Sequence, residues 1–191
     1  MRRFDFDFNT RLADSRAVLK NQLAEKHIRN YFGPVSSIYG ADQFSDRRGI
    51  DFYVQHECNG MRIRVDAKFK VDRHYQGDVM LEIWSNEERK VVGWSLNDRS
   101  NADYYLWAFC LDPDIYHMLP AKAVRSAFKR HKDEWCDQSR SNPYKIVRGG
   151  TPCGAGQVYH SPSVYIPYIV LEAAVIELGV VLKLEHSFCE R

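Results

Sequence analysis

Hydrophobic positions first recur at helical spacing. Leu19, Leu23, His27 and Tyr31 fall every fourth residue, with Ala24 and Ile28 beside them, and predict one buried stripe on a helix. Asn9 or Thr10 supplies its start, and Gly33-Pro34 stops it after residue 32. The period then changes. A short strand is expected at 35–39, then a polar, charged loop, then the β-rich run Gly-Ile-Asp-Phe-Tyr-Val-Gln at 49–55. Beyond a turn at 56–60, the run 61–70 alternates strictly. Met61, Ile63, Val65, Ala67 and Phe69 take one face, and Arg62, Arg64, Asp66, Lys68 and Lys70 the other. Another strand covers 79–85. Three such runs split by short turns predict an antiparallel meander.

Further along, 91–96 reads as a short strand and 102–111 as a long aromatic one, closed by a turn at 112–114. Pro120 sets the start of a helix at 121–137. The Ser-, Gly-, Pro- and Asn-rich stretch 138–157 reads as a loop or flap. A last core strand at 164–166, an apolar helix at 169–178 and a strand in the tail at 180–187 complete the chain. This order predicts a single α/β domain of α+β character over residues 1–191. Its central mixed sheet carries the meander and is flanked by helices. The core occupies about 10–130, and 138–191 adds a loop and further strand and helix elements.

Composition narrows the function classes. The 191 residues suit one domain, and 45% hydrophobic content excludes a mostly disordered chain. Lys and Arg number 27 against 25 Asp and Glu, a net charge of +2, so any nucleic-acid surface must be a local patch. No apolar run is long enough to span a membrane. No apolar run follows the N-terminal arginines, so a secretory signal is not expected. Five cysteines, an odd number with no Cys-x-x-Cys pair, read as reduced thiols of a cytoplasmic protein.

Chemistry concentrates on the charged face of 61–70. Asp66 and Lys68, two apart, project from the same side of their strand. Asp51 stands between Ile50 and Phe52 in the preceding strand, and Glu82 between Leu81 and Ile83 in the next. If the first two strands pair, Asp51 and Asp66 reach one ion. Buried carboxylates are costly unless paired or metal-bound. Oxygen ligands without His or Cys favour Mg2+, with Mn2+ as substitute. A metal between two carboxylates binds a phosphate and acidifies a bound water, and a nearby lysine orients that water or stabilises developing charge. Phosphodiester hydrolysis is the chemistry implied.

The run Gly-Ile-Asp-Phe-Tyr-Val-Gln, a turn, then Arg-Ile-Arg-Val-Asp-Ala-Lys-Phe-Lys resembles the PD-(D/E)XK nuclease superfamily, in particular its phage-borne and recombination-type members. The resemblance covers roughly residues 10–130 and takes in the later runs EIWSN, GWSLN and ADYYLWAF. It implies a restriction-endonuclease-like core: a helix, a mixed sheet of about four strands and flanking helices. It also implies a Mg2+-dependent endo- or exonuclease acting on DNA. Asp51 would take the first motif aspartate's place, with Asp66 and Lys68 as the (D/E)XK pair. Ala67 would offer its backbone carbonyl to the metal, and Glu82 would be an accessory acid. Ile50 stands where the family's name has proline. Many members carry an acid on the first helix, where Glu25 is the only glutamate, although it falls off the Leu19/Leu23 stripe. Related folds often act as dimers, which makes a homodimer an expectation too.

Arg47, Arg48, Arg62, Arg64, Lys70 and Arg73 are the candidate nucleic-acid contacts, each equally readable as part of a solvated basic face. Trp84, Trp94, Trp107, Tyr104 and Tyr105 read as core before base-stacking platforms. The basic positions of 121–137 read as a solvated helix face before a groove-tracking one. No cysteine or histidine spacing fits a zinc finger, and the glycines near 149–156 open no helix after a strand, so no dinucleotide fingerprint is present. The alternative to a nuclease is the same fold catalytically idle, binding nucleic acid or a partner protein as an accessory or inhibitor.

Overall fold

The computed structural model describes residues 8–42, 49–57, 60–70, 77–139, 141–152 and 158–179, with side chains from residue 18 onward except at 151 and 152. Three helices and ten strands occur among the described residues, in a mixed α+β arrangement. The helices are α1 (Phe8–Phe32), α2 (Ala121–Trp135) and α3 (Tyr168–Glu177). The strands are β1 (Val35–Gly40), β2 (Phe52–His56), β3 (Arg62–Lys70), β4 (Asp78–Glu82), β5 (Trp84–Asn86), β6 (Val91–Val92), β7 (Tyr104–Phe109), β8 (Tyr116–Pro120), β9 (Lys145–Pro152) and β10 (Val158–Pro167).

A five-stranded mixed sheet, ordered β1-β2-β3-β7-β8, is the centre of the fold. β1, β2 and β3 run antiparallel in turn, β7 pairs parallel to β3, and β8 returns antiparallel. The two faces of this sheet go to two cores. Ile63, Val65 and Ala67 pack with Phe52, Val54, Leu106 and Ala108 beneath Ala24 and Ile28 of α1. On the opposite face, Tyr105, Trp107 and Phe109 of β7 meet α2, α3 and the smaller sheet β4-β10-β9. β7 is apolar on both sides because both of its faces are covered. Trp107 is anchored there by donating its indole N–H to the Met80 carbonyl, 3.2 Å away.

Several expectations need correction. The hairpin β2–β3 forms, but β4 does not extend it into a three-strand meander. The flank of β3 belongs to β7, and β4 joins the second sheet through β10. Alternation identifies which face of a strand is buried but not which strand lies beside it. The aromatic run of β7, needing cover on both faces, takes the central place. Within the 138–157 stretch, expected as a loop or flap, β9 occupies Lys145–Pro152 and pairs with β10, which is longer than the three residues expected. β8, between the 112–114 turn and α2, carried no signal, being five residues ending on a proline. The strand expected at 91–96 shrinks to Val91–Val92, since Gly93 turns the chain against Glu82. Leu19 is 64% exposed, so the α1 stripe is buried only around Ala24, His27 and Ile28. The strand expected at 180–187 lies outside the described residues. Among the described residues no helix is long and apolar enough to cross a membrane.

Candidate active site

The site forms where β3 runs past the start of β2. Asp51 precedes β2, and its backbone continues the ladder: its N–H donates to the Val65 carbonyl, 2.9 Å, and its own carbonyl accepts from Ala41, 2.8 Å. This fixes the Asp51 side chain beside β3, where its Oδ2 accepts the Ala67 N–H at 2.6 Å. A strand residue's N–H and C=O leave on the same side, so the Ala67 carbonyl faces the Asp51 edge as well.

Asp66 and Lys68 project together from the other face of β3, and Asp66 Oδ1 lies 2.6 Å from Lys68 Nζ. Asp66 is 1% exposed. Its Oδ2 is sealed from solvent with no hydrogen-bond partner. The Asp51 carboxyl is within hydrogen-bonding reach of Asp66, but it can donate only when protonated. Burial first, and the Asp66 charge second, push the Asp51 carboxyl from its ordinary 3.8 up to about 6. Burial is also the largest influence on Lys68 and opposes its charge. Asp66 and Asp51 together outweigh it, so Lys68 titrates above its ordinary value. The ammonium also sits 4.7 Å from the centre of the Trp94 ring.

A cleft of about 810 Å³ opens onto this pair, lined by Gly49, Asp66, Lys68, Glu82, Trp94 and Ser100 among others. Its far wall is the 93–101 segment, and Glu82 holds that wall. Glu82 Oε2 accepts from Ser85 Oγ at 2.7 Å and from the Trp94 N–H at 3.1 Å, while its carbonyl accepts from Ser95 Oγ at 3.0 Å. Gly93 packs so closely that a side-chain carbon there would lie 2.3 Å from the Glu82 carbonyl oxygen. Glu82 therefore reaches the cleft as a clamp on the wall. Among the described residues no three His, Cys, Asp or Glu side chains group closely enough to hold one ion, so Glu82 does not form a three-acid group with Asp51 and Asp66.

The other expected residues scatter. Arg62 is exposed and stacks 3.7 Å from the centre of the Tyr53 ring. Arg64 is bound on two nitrogens by Asp103, at 2.9 and 2.7 Å. Lys70 lies over the Tyr165 ring and 3.5 Å from the Asp78 carbonyl. Glu25 sits on α1 beside Ala24 and does not line the cleft. Arg47, Arg48 and Arg73 lie outside the described residues. Of the aromatic candidates, Trp107 and Tyr105 are core, while Trp94 lines the cleft. On α2, Lys129 pairs with Asp98 and Arg125 donates to the Tyr105 hydroxyl.

Sequence reasoning missed Gly49, Asn97, Arg99, Ser100 and Asn101 as lining residues. The polar, turn-forming run Asn97-Asp98-Arg99-Ser100-Asn101 was the available signal.

The donor set suits a hard divalent cation. Two carboxylates and a carbonyl at a strand edge are all oxygen, and Asp66 Oδ2 is a buried acceptor left without a donor. Mg2+ keeps several waters, so two carboxylates and one carbonyl would leave its other positions to water. No protein-family model, curated protein or solved structure matches this chain.

Proposed function

We propose that the chain is a Mg2+-dependent nuclease of the PD-(D/E)XK type that hydrolyses phosphodiester bonds in DNA. The observation that carries this reading is the trio Asp51, Asp66 and Lys68, with Asp66 buried and its Oδ2 unsatisfied beside a polar cleft. The reading is supported by a helix packed on one face of a mixed sheet and by the position of the trio at the β2–β3 hairpin.

Asp51 and Asp66 would hold the cation, with the Ala67 carbonyl as a third oxygen. Bound there, a divalent cation would polarise a phosphoryl oxygen and lower the pKa of water. Lys68 acts as a donor. Its raised pKa keeps it an ammonium near neutrality, so it cannot take the proton of an attacking water. It orients that water or neutralises charge growing on the phosphate. The bond to Asp66 and the Trp94 ring hold the ammonium in place and limit its reorganisation. Arg99, exposed where it lines the cleft, would meet a backbone phosphate.

Labelled duplex, single-stranded and branched DNA, with RNA alongside, should be incubated with Mg2+, Mn2+ or EDTA. Wild type would run beside Asp66→Ala and Lys68→Ala. Metal-dependent cleavage abolished by both substitutions is the expected result. Cleavage equal in all three proteins would locate the activity elsewhere. No cleavage of any substrate, with DNA still bound, would favour the idle binding module.

A further inference from the structure

The cleft contains a second buried oxygen in the same condition as Asp66 Oδ2. Ser100 Oγ is sealed from solvent and has no hydrogen-bond partner. The two oxygens flank one point. A side-chain carbon built on Gly49 would lie 3.2 Å from Ser100 Oγ and 3.4 Å from Asp66 Oδ2. Gly49 has a φ of +71°, a conformation that favours glycine, and carries no side chain into that space.

Unsatisfied buried polar atoms are uncommon in folded proteins, and two beside one small space point to a guest that satisfies both. Chemistry restricts the guest. Toward Asp66 it must be a cation or a donor, since an ionised carboxylate only accepts. Toward Ser100 it can donate or accept, because a hydroxyl does both. A water carried by a divalent cation meets both conditions, as its protons are acidified and it donates strongly.

We propose that Ser100 is a positioning residue for the cation. Its Oγ accepts a hydrogen bond from a water in the shell of a divalent ion held at Asp66, on the side of the site where Gly49 carries no side chain. This rests on reading Asp51 and Asp66 as metal ligands. The Ser100 backbone is set for the role, its N–H donating to the Asn97 carbonyl at 3.1 Å within the wall that Glu82 anchors. Outer-shell partners of this kind typically change metal affinity about 10- to 100-fold.

Mn2+ binding to the full chain, followed by the electron-spin-resonance signal of free Mn2+, tests this without any turnover. Wild type, Ser100→Ala and Asp66→Asn are compared, each with a urea titration in EDTA. The expected result is Mn2+ binding by wild type, about tenfold weaker binding by Ser100→Ala, and none by Asp66→Asn. Metal-free Ser100→Ala should be as stable as wild type or more so, because it loses a hydroxyl with no partner. Unchanged Mn2+ affinity in Ser100→Ala, with Asp66→Asn silent, would overturn this role and leave the metal site standing. Weaker binding accompanied by a less stable metal-free protein would also overturn it, by making Ser100 structural. Failure of wild type to bind Mn2+ would remove the metal reading itself.

Discussion

Replacing Asp51 with asparagine keeps the side chain's shape and an oxygen for the Ala67 N–H, but removes a charge that faces Asp66. The Asp51 carboxyl titrates at about 6 in the fold instead of 3.8, through burial and then the Asp66 charge. The native state therefore holds this proton more tightly than the unfolded chain does. As pH rises from about 4 to about 6, the unfolded chain releases it first, and native stability falls across that window. Above pH 6 the whole penalty is present. A shift from 3.8 to about 6 is worth about 3 kcal/mol at roughly 1.36 kcal/mol per pH unit. An asparagine amide keeps some desolvation burden, so the expected gain for Asp51→Asn at pH 8 is about 1–3 kcal/mol. Urea unfolding of both proteins in EDTA at pH 4 and pH 8 measures it. Other titrating groups are shared, so the difference between the proteins isolates Asp51. That difference should be near zero at pH 4 and reach its full value by pH 8. Added Mn2+ should then stabilise wild type and not the variant. A variant no more stable than wild type at pH 8, or a gap that ignores pH, refutes the reasoning.

His27 is fully buried against Tyr116 with neither ring nitrogen partnered, and burial pushes its pKa down to about 4. The unfolded chain takes up the proton first as pH falls from about 6.5 to 4, so stability is lost across that window, by about 3 kcal/mol for this residue. His27→Phe should lower the midpoint of acid unfolding followed by circular dichroism, and an unchanged midpoint would count against it. Gly93→Ala would force a carbon against the Glu82 backbone and should destabilise by about 1–3 kcal/mol in urea, whereas Gly149→Ala, whose nearest neighbour would be 3.7 Å away, should be close to neutral. Arg99→Ala should weaken duplex binding and reduce its salt slope by about one, while Arg64→Ala, already spent on Asp103, should leave the slope intact and lose at most about 1 kcal/mol of stability. Fluorescence anisotropy across a salt series separates the two.

The sequence displays its local periods plainly. The first helix, the β2–β3 hairpin, the aromatic β7 and the last two helices follow from period, caps and stops, because each depends on neighbours within a few residues. What does not follow is which strand lies beside which. Glu82 alternates as β3 does, and adjacency in sequence suggested adjacency in the sheet. Yet β4 pairs with β10, some eighty residues further on, and that partner is visible only once the chain is folded. Proline-ended β8 and glycine-rich β9 were lost because their composition belongs to turns, and their pairing supplies what their propensity lacks.

The same limit explains the site. Alternation put Arg62, Arg64, Asp66, Lys68 and Lys70 on one face, and that much was legible. Taken alone, the pattern also describes an ordinary solvated sheet face. Depth along the strand separates the two readings, and depth is supplied by residues far away. Arg62 at one end remains exposed on Tyr53. Two residues on, Asp103 captures Arg64. At Asp66 the 93–101 wall and the start of β2 close over the strand, and exposure drops to 1%. A carboxylate in water needs nothing further. One at this depth, with Lys68 on one oxygen and no donor for the other, keeps an unsatisfied demand for positive charge. Asp51 adds a second carboxylate and increases that demand. Stability alone gives no reason to gather two acids and one lysine at this depth, since three apolar side chains of similar volume would cost less. The divalent cation proposed for this site would supply the missing charge.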